Sequence, residues 1–205
     1  VLETLHGLLL IAGTGSICFG WNKETGKDAR CGGWGHLLAD EGSGYAIGME
    51  ALKAILQEVD GRGPRTTLSS VVMDELHLDI NEPRSVIQFT YGERGTKARI
   101  GSLARFVMQE AEKGDEASLR ILNEQADQLV RLLPPPVERL FGKEPKGSIP
   151  LGIWGGNLVH VELYRNMFME RLNKLGLPLE PKIDPDADAV IGAAKHALIL
   201  LNEKK

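Results

Sequence analysis

The chain has 205 residues, enough for one large domain or two small ones with a buried core. Its 24 basic and 28 acidic residues are mixed along the sequence and leave a net charge of −4, so nucleic acid is a poor candidate partner. The longest apolar run is too short for a membrane span, and no basic segment precedes an apolar stretch near the N-terminus, as it would in a secretory signal. Two cysteines are too few for a disulfide scaffold. Together these observations predict a cytoplasmic protein.

The first part of the chain predicts two short strands and one long helix. Gly7–Ser16 has the pattern of a buried strand that runs into a glycine turn, and Ile17–Asn22 has that of a strand returning from the turn. After a glycine-rich loop, apolar residues recur every four positions from Ile47 to Val59, which predicts an amphipathic helix.

Helices and strands alternate along the rest of the chain. The predicted elements are, in order, helices over Thr66–Leu78 and Pro83–Tyr91, a helix with Ile100, Leu103, Val107 and Ala111 on one face, a helix from Leu119 to a stop at Pro134–Pro136, a strand over Ser148–Asn157, a helix capped by Asn157 and closed by Gly176, a strand over Leu179–Asp184 and a helix over Asp186–Leu201. This order predicts an α/β or α+β domain in which helices cover a central sheet.

Glycines follow both of the long buried strands. Gly13 and Gly15 flank Thr14 in a turn whose backbone N–H groups can face a phosphate with no Cβ in the way, although a lone GTG sequence is more often a tight hairpin. Gly155 and Gly156 stand where the second strand gives way to a helix. A nucleotide site and a plain helix start explain this second pair equally well.

The loop before the long helix is the most unusual stretch of the sequence. Gly33 and Gly35 let the backbone wrap closely around a ligand, and Trp34 between them offers a flat wall. Asp40 and Glu41 stand at the helix start, where a carboxylate often complements the helix dipole, but this does not explain the neighbouring glycines and indole. A carboxylate beside open backbone groups suits the hydroxyls of a sugar, so the loop predicts a sugar site.

No metal site or nucleophile is predicted. Cys18, Cys31 and His36 form the single thiol–imidazole grouping, and their spacing matches no common zinc motif, so a structural role is favoured over zinc. The remaining histidines are scattered, and no catalytic residue is assigned in this chain.

The segments LLLIAGTGS, CGGWGHLLADEGS and IWGGN, in this order, resemble the C-terminal lobe of the BadF/BadG/BcrA/BcrD ATPase and N-acetylglucosamine kinase family. That family belongs to the superfamily of sugar kinases, Hsp70 and actin. The resemblance implies a ribonuclease H-like, actin/hexokinase-type ATPase lobe over residues 1–205, with a mixed sheet covered by helices. It also implies transfer of the γ-phosphate of ATP, with Mg²⁺, to a hydroxyl of an amino sugar such as N-acetylglucosamine or glucosamine.

The resemblance assigns roles to individual residues. It gives nucleotide contacts to Gly13, Thr14 and Gly15 as the second phosphate motif, to Gly155 and Gly156 as the adenosine motif, and to Gly101, and it gives sugar contacts to Gly33, Trp34, Gly35 and Asp40. The family pattern has Asn after GTGS where this chain has Ile17, which leaves the identity of the sugar open.

The family places its first phosphate motif and its catalytic Asp in an N-terminal lobe. Because this chain begins at Val1 and enters a buried-strand pattern within ten residues, we expect it to be the C-terminal lobe of a longer, two-lobed kinase. Alone it should have little or no activity, since phosphoryl transfer needs the complete phosphate clamp and the base. The exposed start, Val1–Leu10, could pair with a second copy, so a homodimer is a further expected partner arrangement.

Two other functions fit parts of the same sequence. Some relatives are ATPase activators that carry a cysteine-bound iron–sulfur cluster, but Cys18 and Cys31 offer no evident cluster pair. A non-catalytic lobe that binds sugar or nucleotide would keep the same binding motifs, and the sequence does not distinguish it from an enzyme.

Overall fold

A mixed five-stranded sheet forms the centre of the protein in the computed structural model, which describes residues 6–186. The strands are β1 (Gly7–Ala12), β2 (Ser16–Asn22), β3 (Lys27–Gly32), β4 (Ile149–Trp154) and β5 (Leu179–Ile183). They lie in the order β3-β2-β1-β4-β5, and β1 is antiparallel to β2 but parallel to β4. The predicted mixed sheet is therefore confirmed, with β3 as a strand that the sequence did not predict.

The central position of β1 corrects one expectation. Leu10 of β1 pairs with Cys18 of β2 on one side and with Ile153 of β4 on the other. Both edges of the strand are therefore occupied, so Gly7–Leu10 is not an exposed start that a second copy could pair with. The preceding residues, Val1–Leu5, lie outside the described residues.

Helices pack against the sheet and against one another. They are α1 (Gly44–Val59), α2 (Leu68–Leu76), α3 (Arg84–Tyr91), α4 (Lys97–Ser102), α5 (Ala104–Glu112), α6 (Glu116–Val130), α7 (Pro134–Phe141), α8 (Gly156–Val159) and α9 (Glu162–Lys174). The predicted helix through Ile100 and Ala111 is thus two helices that meet at Leu103. The predicted last helix lies outside the described residues, apart from Asp186.

The Pro134–Pro136 run both ends one helix and begins another. The chain leaves α6 after Val130, shortly before the predicted stop at the prolines, and the prolines then form the first turn of α7. Proline suits a first helical turn because the N–H that it lacks would have no partner there. The Asn22 side chain fixes α7 to the sheet by donating a 2.7 Å hydrogen bond to the Leu140 carbonyl oxygen.

A single apolar core joins the sheet to the helices. Alternate side chains of β1, including Leu8 and Leu10, are completely buried, and so is Ile47 on the inner face of α1. Within residues 6–186, no helix combines the length and the apolar content needed to cross a membrane.

Tyr164 on α9 provides a buried polar contact between a helix and the loop before α1. Its hydroxyl donates a 2.9 Å hydrogen bond to the carbonyl oxygen of Gly42. Burial raises the pKa of Tyr164 well above its ordinary value, so the hydroxyl keeps the proton that it donates.

Tyr164→Phe should therefore lower the free energy of unfolding by about 1–2 kcal/mol, because the buried Gly42 carbonyl loses its donor. Thermal or urea unfolding measures the change. Tyr91→Phe is the matched control, since Tyr91 is exposed and its change should stay within about 0.5 kcal/mol. Equal stabilities for the two variants would mean that the hydrogen bond contributes nothing.

Candidate functional site

Two glycine turns meet at one edge of the sheet. Because β1 and β4 are parallel, and Ile11 pairs with Trp154, both strands end at the same edge. A Cβ on Gly155, the residue after β4, would overlap the carbonyl oxygen of Ala12 at the end of β1. The carboxyl ends of adjacent parallel strands are the usual ligand position in α/β sheets, so the structure brings the predicted nucleotide glycines together.

The turn formed by Gly13, Thr14 and Gly15 is fixed by contacts that approach it from two helices. The carbonyl oxygen of Gly13 accepts hydrogen bonds from the Gly44 N–H, at 2.8 Å, and from the Asn157 side-chain amide, at 3.0 Å. The Thr14 carbonyl oxygen accepts from the Tyr45 N–H at 3.2 Å. These bonds fix the turn against the start of α1.

Two backbone N–H groups of this turn lack a protein acceptor among the described residues. Thr14 is exposed, and within residues 6–186 the backbone N–H groups of Thr14 and Gly15 have no protein acceptor. Backbone N–H groups that point outward from a glycine turn attract anionic oxygens. The geometry therefore suits the phosphate contact predicted for this turn.

Asn157 has a different role from the predicted one. It lies inside the short helix α8, Gly155 occupies the cap position before it, and Val161 occupies the cap position of α9. The Asn157 side chain instead crosses to Gly13, 144 positions away in the sequence. The prediction of a helix cap was wrong because the sequence alone could not reveal this distant carbonyl oxygen.

Asp40 lies beneath the same turn. Only 2% of the residue is exposed, and its backbone has a left-handed φ of 68°. One carboxylate oxygen, Oδ1, accepts from the Ser16 N–H at 3.2 Å, and the other, Oδ2, is 2.6 Å from the ammonium of Lys97. Asp40 therefore joins β2, the loop before α1 and α4 at one point.

Lys97 was not among the residues selected from the sequence. It is separated from Asp40 by 57 positions, and no motif marks it. A Cβ on Gly15 would be 2.8 Å from both the Lys97 nitrogen and Asp40 Oδ2, so glycine leaves the room that this ion pair needs. The sequence gives no local signal for Lys97, because its role depends on the packing of the start of α4 against this turn.

The glycine-rich loop presents an open aromatic surface. Gly33 and Gly35 have left-handed φ values of 70° and 88°, and a Cβ on Gly33 would be 2.6 Å from a side-chain carbon of Ile17. Trp34 between them is 62% exposed, and the Arg30 guanidinium lies 4.0 Å from the centre of its ring. An exposed indole beside bare backbone groups suits a sugar ring.

A cleft of about 370 Å³ lies between α4–α5 and α8. Gly101 and Arg105 line one side, and Asn157 and His160 line the other. A Cβ on Gly101 would be 3.0 Å from the Thr14 methyl carbon, so the cleft adjoins the Gly13–Gly15 turn. This position next to both glycine turns suits the nucleoside of a nucleotide.

Cys18, Cys31 and His36, the thiol–imidazole grouping of the sequence, do not line this cleft. Cys18 and Cys31 face each other across β2 and β3 as free cysteines, and His36 packs edge-on against Tyr45. Burial, followed by the charge of Cys31, raises the pKa of Cys18 to about 12, which disfavours the thiolate that a metal or cluster would require. In the described part of the chain, no group of three or more His, Cys, Asp and Glu side chains could hold a metal ion.

Known proteins resemble this chain over most of its length. The sequence model of the BadF/BadG/BcrA/BcrD ATPase family matches residues 2–197. The chain is 40% identical over 192 residues to the N-acetylmuramic acid/N-acetylglucosamine kinase of Clostridium acetobutylicum and 33% identical over 202 residues to the N-acetyl-D-glucosamine kinase of Dictyostelium discoideum. These alignments cover 94% and 98% of this chain, and the chain spans 61% of the length of each relative.

Solved structures share the fold. A structure from Chromobacterium violaceum that bears the name N-acetylglucosamine kinase matches with a TM-score of 0.65 at 23% identity, over 86% of this chain and 55% of that one. A hexokinase matches with a TM-score of 0.52 at 14% identity, over 88% of this chain and 47% of that one. At such identities the likeness concerns the fold alone, and it confirms the predicted actin/hexokinase-type ATPase fold.

The two adjacent glycines after β4 should respond differently to substitution. Gly155→Ala should lower the free energy of unfolding by about 3 kcal/mol, because its Cβ would overlap Ala12 and its φ is 110°. Gly156→Ala is the matched control. A Cβ there meets only His160 at 3.8 Å, so the stability should stay the same or rise by up to about 1 kcal/mol. Urea unfolding of both variants makes the comparison, and equal losses would contradict the close approach of β4 to β1.

Proposed function

We propose that this chain, which belongs to the BadF/BadG/BcrA/BcrD ATPase family, serves in the ATP-dependent phosphorylation of an amino sugar. The main support for the proposal is that the Gly13–Gly15 turn and the Gly155–Gly156 turn meet at one edge of the sheet. The glycine-rich loop that carries Trp34 starts at the same edge, because the Gly33 N–H donates to the Ser16 carbonyl oxygen. The names of the two relatives, both kinases of N-acetylated amino sugars, support this choice of reaction.

The proposed nucleotide position follows the cleft. The nucleoside lies beside Gly101 and Gly156, and the phosphates extend over the turn at Thr14, where free N–H groups meet them. Magnesium in kinase sites is held by one or two carboxylates together with phosphates and water. We infer that Mg²⁺ enters with the phosphates of its nucleotide, since the described residues offer no three-ligand group of their own.

The proposed sugar position is the glycine-rich loop. Trp34 provides a flat apolar face, and among the described residues the Gly33 carbonyl oxygen and the Gly35 N–H have no hydrogen-bond partner. Asp40 is buried at the loop end, and it is proposed to accept from a sugar hydroxyl through the lone pairs that Ser16 and Lys97 leave. The side chain of Ile17 lies against Gly33 and contributes no polar group, so the sugar contacts come from the backbone and from Asp40.

The general base is proposed to come from another lobe. Phosphoryl transfer requires a group that orients or deprotonates the attacking hydroxyl. Asp40, the carboxylate beside the turn, already accepts hydrogen bonds from Ser16 and Lys97, and it is assigned to binding rather than to the role of base. We propose that the chain is the C-terminal lobe of a two-lobed kinase whose other lobe supplies the base, in keeping with the greater length of its relatives.

The proposal predicts amino-sugar-dependent release of ADP. When this chain is joined to a lobe that carries the base, N-acetylglucosamine or glucosamine should accelerate ADP release from MgATP, as a coupled assay would measure. The 205-residue chain alone should release little ADP under the same conditions because the base is elsewhere. ADP release that is unaffected by either amino sugar would exclude an amino-sugar kinase.

Asp40 provides a more local test of the sugar site. Asp40→Asn keeps the shape of the side chain but removes its charge, so affinity for the amino sugar should fall about 10-fold or more, as measured by calorimetry. Asp60→Asn is the matched control, because Asp60 is exposed and pairs with Arg62 just after α1. Thermal unfolding checks that both variants fold. Wild-type sugar affinity in folded Asp40→Asn would remove Asp40 from the sugar site.

A further inference from the structure

Lys97 places a positive charge on the glycine turn proposed for the phosphates. Its ammonium nitrogen is 2.6 Å from Asp40 Oδ2 and 2.8 Å from the position that a Cβ on Gly15 would take. The ammonium therefore lies against the Gly13–Gly15 turn, and the missing side chain at position 15 provides its space.

The ammonium has donors to spare. The Lys97 side chain is 36% exposed, whereas that of Asp40 is only 4% exposed, so solvent reaches this ion pair mainly on the Lys97 side. An ammonium carries three N–H groups, and Asp40 accepts one of them. An anionic oxygen above the turn could thus receive hydrogen bonds from Lys97 together with the free N–H groups of Thr14 and Gly15.

The helix that carries Lys97 leads from this turn to the cleft. Lys97 and Gly101 are four residues apart on α4, so they share one face of the helix and are separated by about 6 Å along its axis. Gly101 lines the cleft, and a Cβ on it would be 3.0 Å from the Thr14 methyl carbon. A nucleotide whose nucleoside occupies the cleft would therefore direct its phosphates past Thr14 towards Lys97.

A purely structural role would not explain why the ion pair of Lys97 and Asp40 lies at the Gly13–Gly15 turn. Lys113 and Glu110 form such a pair between α5 and its C-cap, three residues apart in the chain, and neither side chain lines the cleft. The pair of Lys97 and Asp40 instead joins distant segments at a turn with unpaired N–H groups. The exposed partner of this pair, Lys97, therefore lies beside the turn proposed to bind the phosphates.

We propose that Lys97 is a nucleotide-binding residue, whose ammonium, held in place by Asp40, donates to a phosphoryl oxygen of ATP or ADP above the Gly13–Gly15 turn. The inference rests on the proposed function and adds to it a residue outside all the sequence motifs. The same ammonium joins the phosphates to the carboxylate proposed to hold the sugar, so the two substrates meet at one charged pair.

Calorimetry with a series of ligands tests the contact. Adenosine, ADP and ATP, the last two with Mg²⁺, are titrated into the wild-type chain, Lys97→Met and Lys97→Arg. Lys97→Met should bind ADP or ATP at least 10-fold more weakly and adenosine unchanged, and Lys97→Arg should recover part of the loss because the charge remains. Lys53→Met is the matched control, since Lys53 is exposed on α1 and pairs with Glu50; its affinities should equal those of the wild type.

A second measurement needs no substitution. Lysines of the wild-type chain are acylated by an amine reagent and quantified by mass spectrometry, and ATP should protect Lys97 several-fold while adenosine should not. Lys53 should react equally with and without ATP.

The possible results separate the two proposals. If the wild type binds ATP but Lys97→Met binds it equally well, or if ATP leaves Lys97 unprotected, this inference is overturned and the proposed function stands. An equal loss of adenosine and ATP in Lys97→Met would also overturn it, because the effect would not concern the phosphates. If the wild type binds neither ADP nor ATP, the proposed nucleotide site fails and this inference fails with it.

Discussion

The carbonyl oxygen of Gly13 is the point on which the arrangement of the site depends. It accepts from the Gly44 N–H at the start of α1 and from the Asn157 side chain in α8. One acceptor therefore connects the end of β1, the helix that follows the glycine-rich loop and the turn that follows β4. The two donors hold the turn in place through this oxygen, while the N–H groups of Thr14 and Gly15 have no acceptor among the described residues.

The ion pair of Asp40 and Lys97 extends this arrangement to α4. Asp40 also accepts from the Ser16 N–H, so its carboxylate holds the first residue of β2 and the first residue of α4 at one side of the turn. Partly buried ion pairs contribute little net stability when the cost of desolvation is included. This pair therefore adds little to the free energy of unfolding, and its main effect is to hold the Lys97 ammonium beside the turn.

Membership of the family indicates the class of reaction but does not establish the activity of the whole protein. The family match and the two amino-sugar kinases support a phosphate and sugar site, and the solved structures establish an actin/hexokinase-type fold. The chain spans 61% of the length of those two relatives, so the activity of the whole protein is a proposal. The described residues offer free backbone N–H groups, an exposed indole and a cleft. In the proposed function these groups position the substrates, and positioning supplies most of the catalysis of phosphoryl transfer.

The sequence by itself determined the elements whose signals are local. Apolar periodicity predicted β1, β4 and α1, and glycines after buried strands marked the turns at Gly13–Gly15 and Gly155–Gly156. The family segments predicted the fold, which the structure confirms. The sequence did not reveal β3, whose residues are mostly polar, or α7, because a proline run also predicts a helix stop.

Only the tertiary structure decided the contacts between distant segments. The Asn157 amide reaches Gly13 rather than a helix N-terminus, and Lys97 reaches Asp40 across 57 positions. The difference between Gly155, which has no room for a Cβ, and its exposed neighbour Gly156 also appears only when β4 lies beside β1. Local patterns determine which segments form strands, helices and turns. Which polar group meets which depends on how those elements pack.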